Sequence, residues 1–454
     1  MRVIIIGGGE VGFHIAEQLV EHEKKDVVLI DVDPERVRRA QESFDVQVLC
    51  GSGSSPALLK EAGIAEAEMV IAVTASDETN MIACLIAQAD SPSSVKIARV
   101  RNLEYYNLTS VLDRDHLGID LAINPERESA EYLHKLLLIP AAKAIYDFAE
   151  GKLRLVGFNV PSGCKLTGQE LQHLSSLQPS NGALVAAVER GDELLIPRGD
   201  TTLESGDFVW ISTTPDRVQE ILSLFGKPAQ PCRRVFISGG GQEGFLLAQL
   251  CEATGMKVKL LERNYERCTW LAQQLNQSVI LQGDVLDPDL LYDENIDDVD
   301  AFVALGEDDE ENVIAGLLAK RIGVPKVIAM LERSAYINVV PVIGIDNVIS
   351  KRLLAVNRIL QFIRRGSVIS DTPLTENTEV LEFKALETSD IVGRPLSKMN
   401  FPAGSIVGGL VRGNQAIIPQ GGTVIEAGDR VVIFARKRMI PRIEKLFTVK
   451  LDYF

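Results

Sequence analysis

Short apolar runs alternate along the chain with stretches of helical period. Val3-Ile4-Ile5-Ile6, Val27-Val28-Leu29-Ile30, Val46-Gln47-Val48-Leu49-Cys50, Met69-Val70-Ile71-Ala72-Val73, Val95 to Arg101 and Ile119 to Ile123 read as six strands. Met69–Val73 is apolar throughout, as in a parallel sheet covered on both faces. A helix is predicted from about Asp33 to Phe44, a second opens at Gly51-Ser52-Gly53-Ser54-Ser55-Pro56, and a third begins near Glu78 with Ser76 or Asp77 as its cap. The β-α-β-α order predicts a doubly wound α/β domain over residues 1–124.

Residues 125–150 read as a helix interrupted at Pro140, because proline removes a helix hydrogen bond. Leu133, Leu136, Leu137, Ile139, Ala141, Ala144, Ile145 and Phe148 exceed one core stripe. The expectation is a helix–bend–helix arm packed against a partner domain. From Leu153 the pattern changes to short strands separated by turns such as Gly191-Asp192 and Gly206-Asp207. These predict a small α+β module over 151–225, followed by a linker over 226–233 that holds Pro228 and Pro231.

The second half repeats this order: a doubly wound domain over 234–349, a shorter helical arm over 350–366 and a small module over 367–454. Gly239 follows Gly7 by 232 positions, whereas Gly413, Pro419, Gly428 and Asp429 follow Gly191, Pro197, Gly206 and Asp207 by 222. The second copy has therefore lost ten residues in between, mostly from the arm.

The candidate chemistry sits at the first turn of each half. Gly7-Gly8-Gly9-Glu10-Val11-Gly12 and Gly239-Gly240-Gly241-Gln242-Glu243-Gly244 each join a strand to a helix. In a G-x-G-x-x-G the first glycine makes the tight turn, the second admits a pyrophosphate, and the third lets helix and strand pack closely. The helix N-terminus then offers free N–H groups to phosphate. Asp31 and Glu262 close the next strand, where a carboxylate accepts from an adenosine ribose. Arg263 follows Glu262 and could sit over the ribose, so NAD or an adenine nucleotide suits the second site.

Arg99 and Arg101 share a strand face near the ligand-binding edge of the first domain. They suit a phosphate contact or a charge pair at a domain interface. Met330 and Glu332 hold the corresponding positions in the second half, which loses any phosphate clamp there. Ser52 and Asp284 correspond to each other, and each suits a helix N-cap or a ligand contact. Glu307-Asp308-Asp309-Glu310-Glu311 reads as a helix N-terminus favoured by the dipole.

Composition narrows the function. A net charge of −16 argues against nucleic acid as a partner, and no apolar run approaches the ~20 residues a bilayer requires. The chain enters a strand by Val3, leaving no room for a signal peptide, so it reads as soluble and cytosolic. Six cysteines form no C-x-x-C pair, as expected of reduced thiols rather than a zinc site. The five histidines form no H-E-x-x-H, and neither a G-x-S-x-G nor a Walker lysine motif occurs. No catalytic residue, no metal ligand and no enzymatic activity are expected. An NAD-dependent oxidoreductase and an NADH-sensing transcriptional regulator are the competing readings.

The doubled glycine motif, Gly51-Ser52-Gly53 with its counterpart Gly283-Asp284-Val285, Val73-Thr74-Ala75-Ser76-Asp77-Glu78-Thr79-Asn80, Ile97-Ala98-Arg99-Val100-Arg101 and the two small modules occur here in one order. In this the chain closely resembles, over essentially its whole length, the TrkA family. These are regulatory subunits of bacterial Trk potassium uptake systems, built from tandem domains that regulate potassium conductance (RCK domains). The resemblance implies a Rossmann-like domain plus a small α+β module, twice. It implies NAD(H) and ATP or ADP as ligands, and a homotetramer ring on the cytoplasmic face of the inner membrane beneath a membrane potassium-translocating subunit. By the same resemblance Arg99 and Arg101 would contact phosphate, and the ligand contacts would include Glu10, Val11, Ser52, Thr74 and Ala75 in the first half and Gln242, Glu243, Asp284 and Leu305 in the second.

Overall fold

The computed structural model describes residues 2–22, 24–113, 116–172, 182–191, 193–227, 230–337, 339–363, 368–375 and 378–447. The end of the expected second arm, 364–366, and the end of the second small module, 448–454, lie outside the described residues. In the first half, β1 (Arg2–Ile6), β2 (Asp26–Asp31), β3 (Gln47–Cys50), β4 (Met69–Ala72), β5 (Val95–Arg99) and β6 (Leu121–Ile123) form one parallel sheet of order 3-2-1-4-5-6. Helices α1 (Glu10–Glu17), α2 (Pro34–Ser43) and α3 (Asp77–Asp90) connect its strands. Strand order reverses between β1 and β4, where doubly wound sheets open a crevice.

After β6, α4 (Pro125–Leu138) starts at an Asn124 cap, and its second half differs from expectation. The predicted bend is followed by a strand, β7 (Ala144–Phe148), not a helix. It pairs antiparallel with β8 (Leu153–Asn159), Phe148 opposite Leu153, through a turn in which Ala149, Glu150 and Gly151 all have positive φ. With β9 (Ala183–Arg190), β10 (Glu193–Leu195) and β11 (Phe208–Thr213) it completes an antiparallel sheet of order 10-9-11-8-7. Buried Asp207 holds that sheet's last turn: Arg190 donates to both its carboxylate oxygens at 2.9 Å. The pair recurs as Arg412 and Asp429.

The second half rebuilds the parallel sheet from β12 (Arg234–Ser238), β13 (Lys257–Glu262), β14 (Val279–Gln282), β15 (Ala301–Ala304), β16 (Lys326–Met330) and β17 (Asn347–Ile349), in order 14-13-12-15-16-17. Its helices are α5 (Gln242–Ala253), α6 (Tyr265–Gln274) and α7 (Asp309–Ile322), and its arm is α8 (Lys351–Ile363). Strands β18 (Val368–Thr375), β19 (Thr378–Lys384), β20 (Ser405–Arg412), β21 (Gln415–Ile417) and β22 (Arg430–Arg436) make the second antiparallel sheet, backed by α9 (Ile440–Phe447).

The arms cross over. Ala355, Val356, Ile359 and Leu360 of α8 are buried in one core with Val3, Ile5, Phe13 and Leu29 of the first half. Ala130, Leu133, Leu136 and Leu137 of α4 share a core with Val235, Ile237, Leu247 and Leu260 of the second. Each parallel sheet thus has part of one face covered by the other half's helix. The small modules also join, Phe148, Leu155 and Trp210 packing with Val380, Val432 and Phe434. No helix among the described residues is long and apolar enough to cross a membrane.

Lys326 fastens the first arm to the second sheet. Its buried Nζ donates to the carbonyls of Pro140 and Ala142 at 2.8 and 2.9 Å and to Asn347 Oδ1 at 2.6 Å. Burial pushes its ammonium down from 10.5 to about 7. The unfolded chain therefore binds the extra proton between those values, and this residue's contribution to stability rises with pH across that window. Lys326→Met should strand its acceptors, cost roughly 2 kcal/mol in urea unfolding at pH 7, and flatten the rise between pH 7 and 10. An unchanged midpoint and an unchanged pH slope would contradict this.

Candidate functional site

The crevice of the first half is shaped by where a side chain cannot go. Gly7 turns the chain at φ +110°, and a Cβ there would lie 2.9 Å from the Thr74 nitrogen. At Gly12 a Cβ would lie 1.8 Å from the Gly7 oxygen, so α1 presses directly on the turn. Gly9 differs: only Arg36 Nη1, at 3.6 Å, stands near its missing Cβ. Gly9 also lacks any side-chain cap for α1, which leaves first-turn N–H groups facing open space.

Asp31 braces this loop. Its buried carboxylate accepts from Gly8 N–H at 2.6 Å and from Asp33 N–H at 2.8 Å, with the Arg36 guanidinium 3.7 Å away. Each carboxylate oxygen has a further lone pair, so the bracing leaves acceptor capacity toward the crevice. Across it, Asn80 fixes the β4 loop, accepting from Thr74 N–H at 2.9 Å and donating to the Arg99 carbonyl at 2.9 Å. Asn312 does the same for Gly306 and Met330. Sequence reasoning passed over this asparagine, although its recurrence 232 positions on was visible.

The resulting cleft has a volume of about 450 Å³. Gly7, Gly9, Glu10, Val11, Asp31, Ser52, Thr74, Ala75 and Arg99 all line it, while Gly12 lies in the packing beneath. Arg101 is elsewhere. β5 ends at Arg99, and Arg101 lines a neighbouring cleft with Glu126 and, from the second half, Gln242, Phe245 and Trp270. Its Nε donates to Glu126 Oε1 at 3.0 Å, so the two arginines do not form one clamp. Arg99 lies 4.0 Å from the same oxygen, and burial lowers its affinity for its proton against the pull of Glu126.

The cleft also contains residues that no sequence pattern places there. Arg36, Ser76 and Thr79 come from the first half, but Glu332, Lys351 and Arg352 come from the second. Arg352 Nη1 donates to Glu10 Oε2 at 2.7 Å, across the two halves. The Arg39 hydrogen bond, aided by Arg352, holds the Glu10 carboxyl below its ordinary range. Lys351 is paired with Glu243 at 2.5 Å and with Glu332 at 3.7 Å. Glu332 therefore does not replace a phosphate clamp in the second site; it faces the first.

The second glycine turn has the same frame. Gly239 turns at φ +100° against the Leu305 carbonyl, Gly244 packs on Gly239, and Glu262 accepts from Gly240 N–H and Asn264 N–H, both at 2.8 Å. Its mouth differs. Arg267 Nε donates to the Gly240 carbonyl at 2.6 Å beside Gly241, while its guanidinium stacks over Trp270. Arg263 turns away from Glu262 and bridges Asp284 at 3.2 Å and Glu311 at 3.1 Å. Val32, Ser52 and Thr79 occupy those three positions in the first half and leave its mouth unbridged. Neither Ser52 nor Asp284 caps a helix; the caps are Ser55 and Asp287, three residues on. Glu243, at the start of α5, pairs with Lys351 of the second arm while its other oxygen stands 3.8 Å from where a Cβ would lie on Gly241, and Gln242 lines the neighbouring cleft with Arg101 and Glu126.

Comparison with known proteins follows the same division. The TrkA-N domain model matches residues 3–125 and 235–351, and the TrkA-C domain model matches 155–226 and 380–448. The Trk system potassium uptake protein TrkA of Azorhizobium caulinodans is 36% identical, with all of both chains covered. The protein of the same name from Haemophilus influenzae is 35% identical over 98% of each chain. Among solved structures, the GsuK channel bound to NAD has a TM-score of 0.64 at 18% identity, covering 98% of this chain and 78% of that one. The GsuK RCK domain has a TM-score of 0.62 at 17% identity, with coverage of 98% and 94%, a likeness of fold.

The glycines should separate by role. Gly12→Ala and Gly244→Ala drive a methyl into a backbone carbonyl and should each cost at least about 2 kcal/mol of stability, whereas Gly9→Ala should unfold with the parent. Thermal melts in which all three variants coincide would refute that division.

Proposed function

The chain belongs to the TrkA family, and on that premise we propose that it is a cytosolic regulatory subunit whose first cleft binds an adenine nucleotide or NAD(H) and thereby sets the activity of a membrane potassium-translocating partner. The observation that carries this reading is the first cleft itself. It combines an uncapped helix start with open space at Gly9, a carboxylate with spare acceptor capacity, and cationic Arg36, Arg99, Lys351 and Arg352. A chain with a net charge of −16 has gathered these cations around one opening. The pyrophosphate would lie at the start of α1, where N–H groups and the helix dipole favour negative charge. Asp31 would accept from the ribose hydroxyls. When bound, NAD(H) or ADP supplies charge and shape to be sensed, and we assign the chain no reaction of its own.

One feature, present in both halves, supports an assembly of copies. Ile82, Leu85, Leu108 and Val111 are exposed in the first half, and Ile314, Val339 and Val342 repeat three of those positions in the second. Exposed apolar residues that recur at matching positions suit an association surface, in keeping with a ring of copies under the membrane partner. The second cleft, bridged by Arg263, is read as the weaker nucleotide site.

Gly9→Val fills the space reserved for pyrophosphate without meeting backbone. It should lower the affinity for ADP and NADH at the first half by at least about tenfold, with parent-like thermal stability. Potassium flux through the membrane partner should respond to added nucleotide with the parent and lose that response with the variant. Equal binding and an equal flux response in both would overturn the reading.

A further inference from the structure

Arg352 is a buried charge with two of its three guanidinium nitrogens unpartnered. It is only 7% exposed and stands in the first turn of α8, whose apolar face is buried in the first half. A guanidinium carries five N–H donors, and a buried one left unpaired is costly. Here Nη1 is spent on Glu10, while Nε and Nη2 are buried with no hydrogen-bond partner. Glu10 is half exposed and already accepts from Arg39 at 2.7 Å, so it satisfies Arg352 only in part. Nothing in the packing of α8 requires an arginine at this position; Glu126 holds the corresponding place at the start of α4.

Resting on the reading of the first cleft as a nucleotide site, we propose that Arg352 is a phosphate ligand of that cleft, supplied by the second half and held in reserve by Glu10. Arg352 lines the cleft that opens at Gly9. A phosphate oxygen there offers the anionic acceptor that Nε and Nη2 lack, in the planar two-point geometry that guanidinium groups favour. Because both nitrogens are closed off from solvent, reaching them requires the first turn of α8 to shift relative to α1. That shift moves the second half against the first. Lys351, adjacent and paired with Glu243 and Glu332, would carry the displacement toward the second glycine turn. The phosphate is thereby read by both halves at once, and a ligand without phosphate leaves Arg352 on Glu10.

Calorimetric titration of the full chain with ADP and with adenosine tests this, using the parent, Arg352→Gln, Glu10→Gln and the double variant. Arg352→Gln should weaken ADP about tenfold or more and leave adenosine unchanged. Glu10→Gln keeps Arg352 in place while releasing it, so it should tighten ADP in the parent background and have no effect in the Arg352→Gln background. Should Glu10→Gln tighten ADP equally in both backgrounds, Glu10 merely repels the ligand and the inference fails. It fails too if Arg352→Gln binds ADP as the parent does. A parent that binds no ADP overturns both this inference and the functional reading beneath it, so the two failures are distinguishable.

Discussion

A parallel sheet must be covered on both faces, and here part of each cover is borrowed. Ala355, Val356, Ile359 and Leu360 close the first half's core from the second half's arm, and Leu133, Leu136 and Leu137 close the second half's core from the first. Burying each such large side chain contributes roughly 1.5–3 kcal/mol. Pulling the halves apart would therefore expose both cores at once. What can change at lower cost is the seating of each arm helix on its host sheet, and the start of α8 sits beside the cleft.

The two copies have used the same frame differently. Both retain the turn, a bracing carboxylate (Asp31 in one, the longer Glu262 in the other) and the asparagine under the β4 or β15 loop, and each of these holds backbone in place. At the mouth, where no packing constrains the choice, Val32, Ser52 and Thr79 have become Arg263, Asp284 and Glu311. The resulting bridge is exposed, and pairs of that kind contribute little to stability. Its consequence is for access: the positions that open the first cleft are joined across the second.

Much of the fold was legible because it rests on local, periodic signals. The glycine turns, the continuous strand Met69–Val73 and the repeat of 232 positions each have one simple structural meaning. The error at residues 141–150 has an equally physical origin. Ala144-Ile145-Tyr146-Asp147-Phe148 is a short apolar run that suits helix or strand alone, and tertiary pairing with β8 decided it. The positive φ at Ala149 and Glu150 shows that the turn is imposed rather than encoded by a conspicuous glycine pair. Of the two roles that the spacing leaves open for Arg101, the structure has the charge pair: the strand ends at Arg99, and Arg101 turns to Glu126 in a cleft shared with the second half. Lys351 and Arg352 were invisible as site residues because the crossing of the arms, a contact over more than 340 positions, leaves no local trace.

On the proposed function, a ligand in the first half is sensed by the second through α8. Hydrogen exchange of the full chain, followed by mass spectrometry with and without saturating ADP, tests it directly. Altered amide protection is expected in residues 351–363 alongside the glycine turn at 7–12, although α8 belongs to the other half of the sequence. Changes confined to residues 1–124, with α8 exchanging identically in both states, would contradict it.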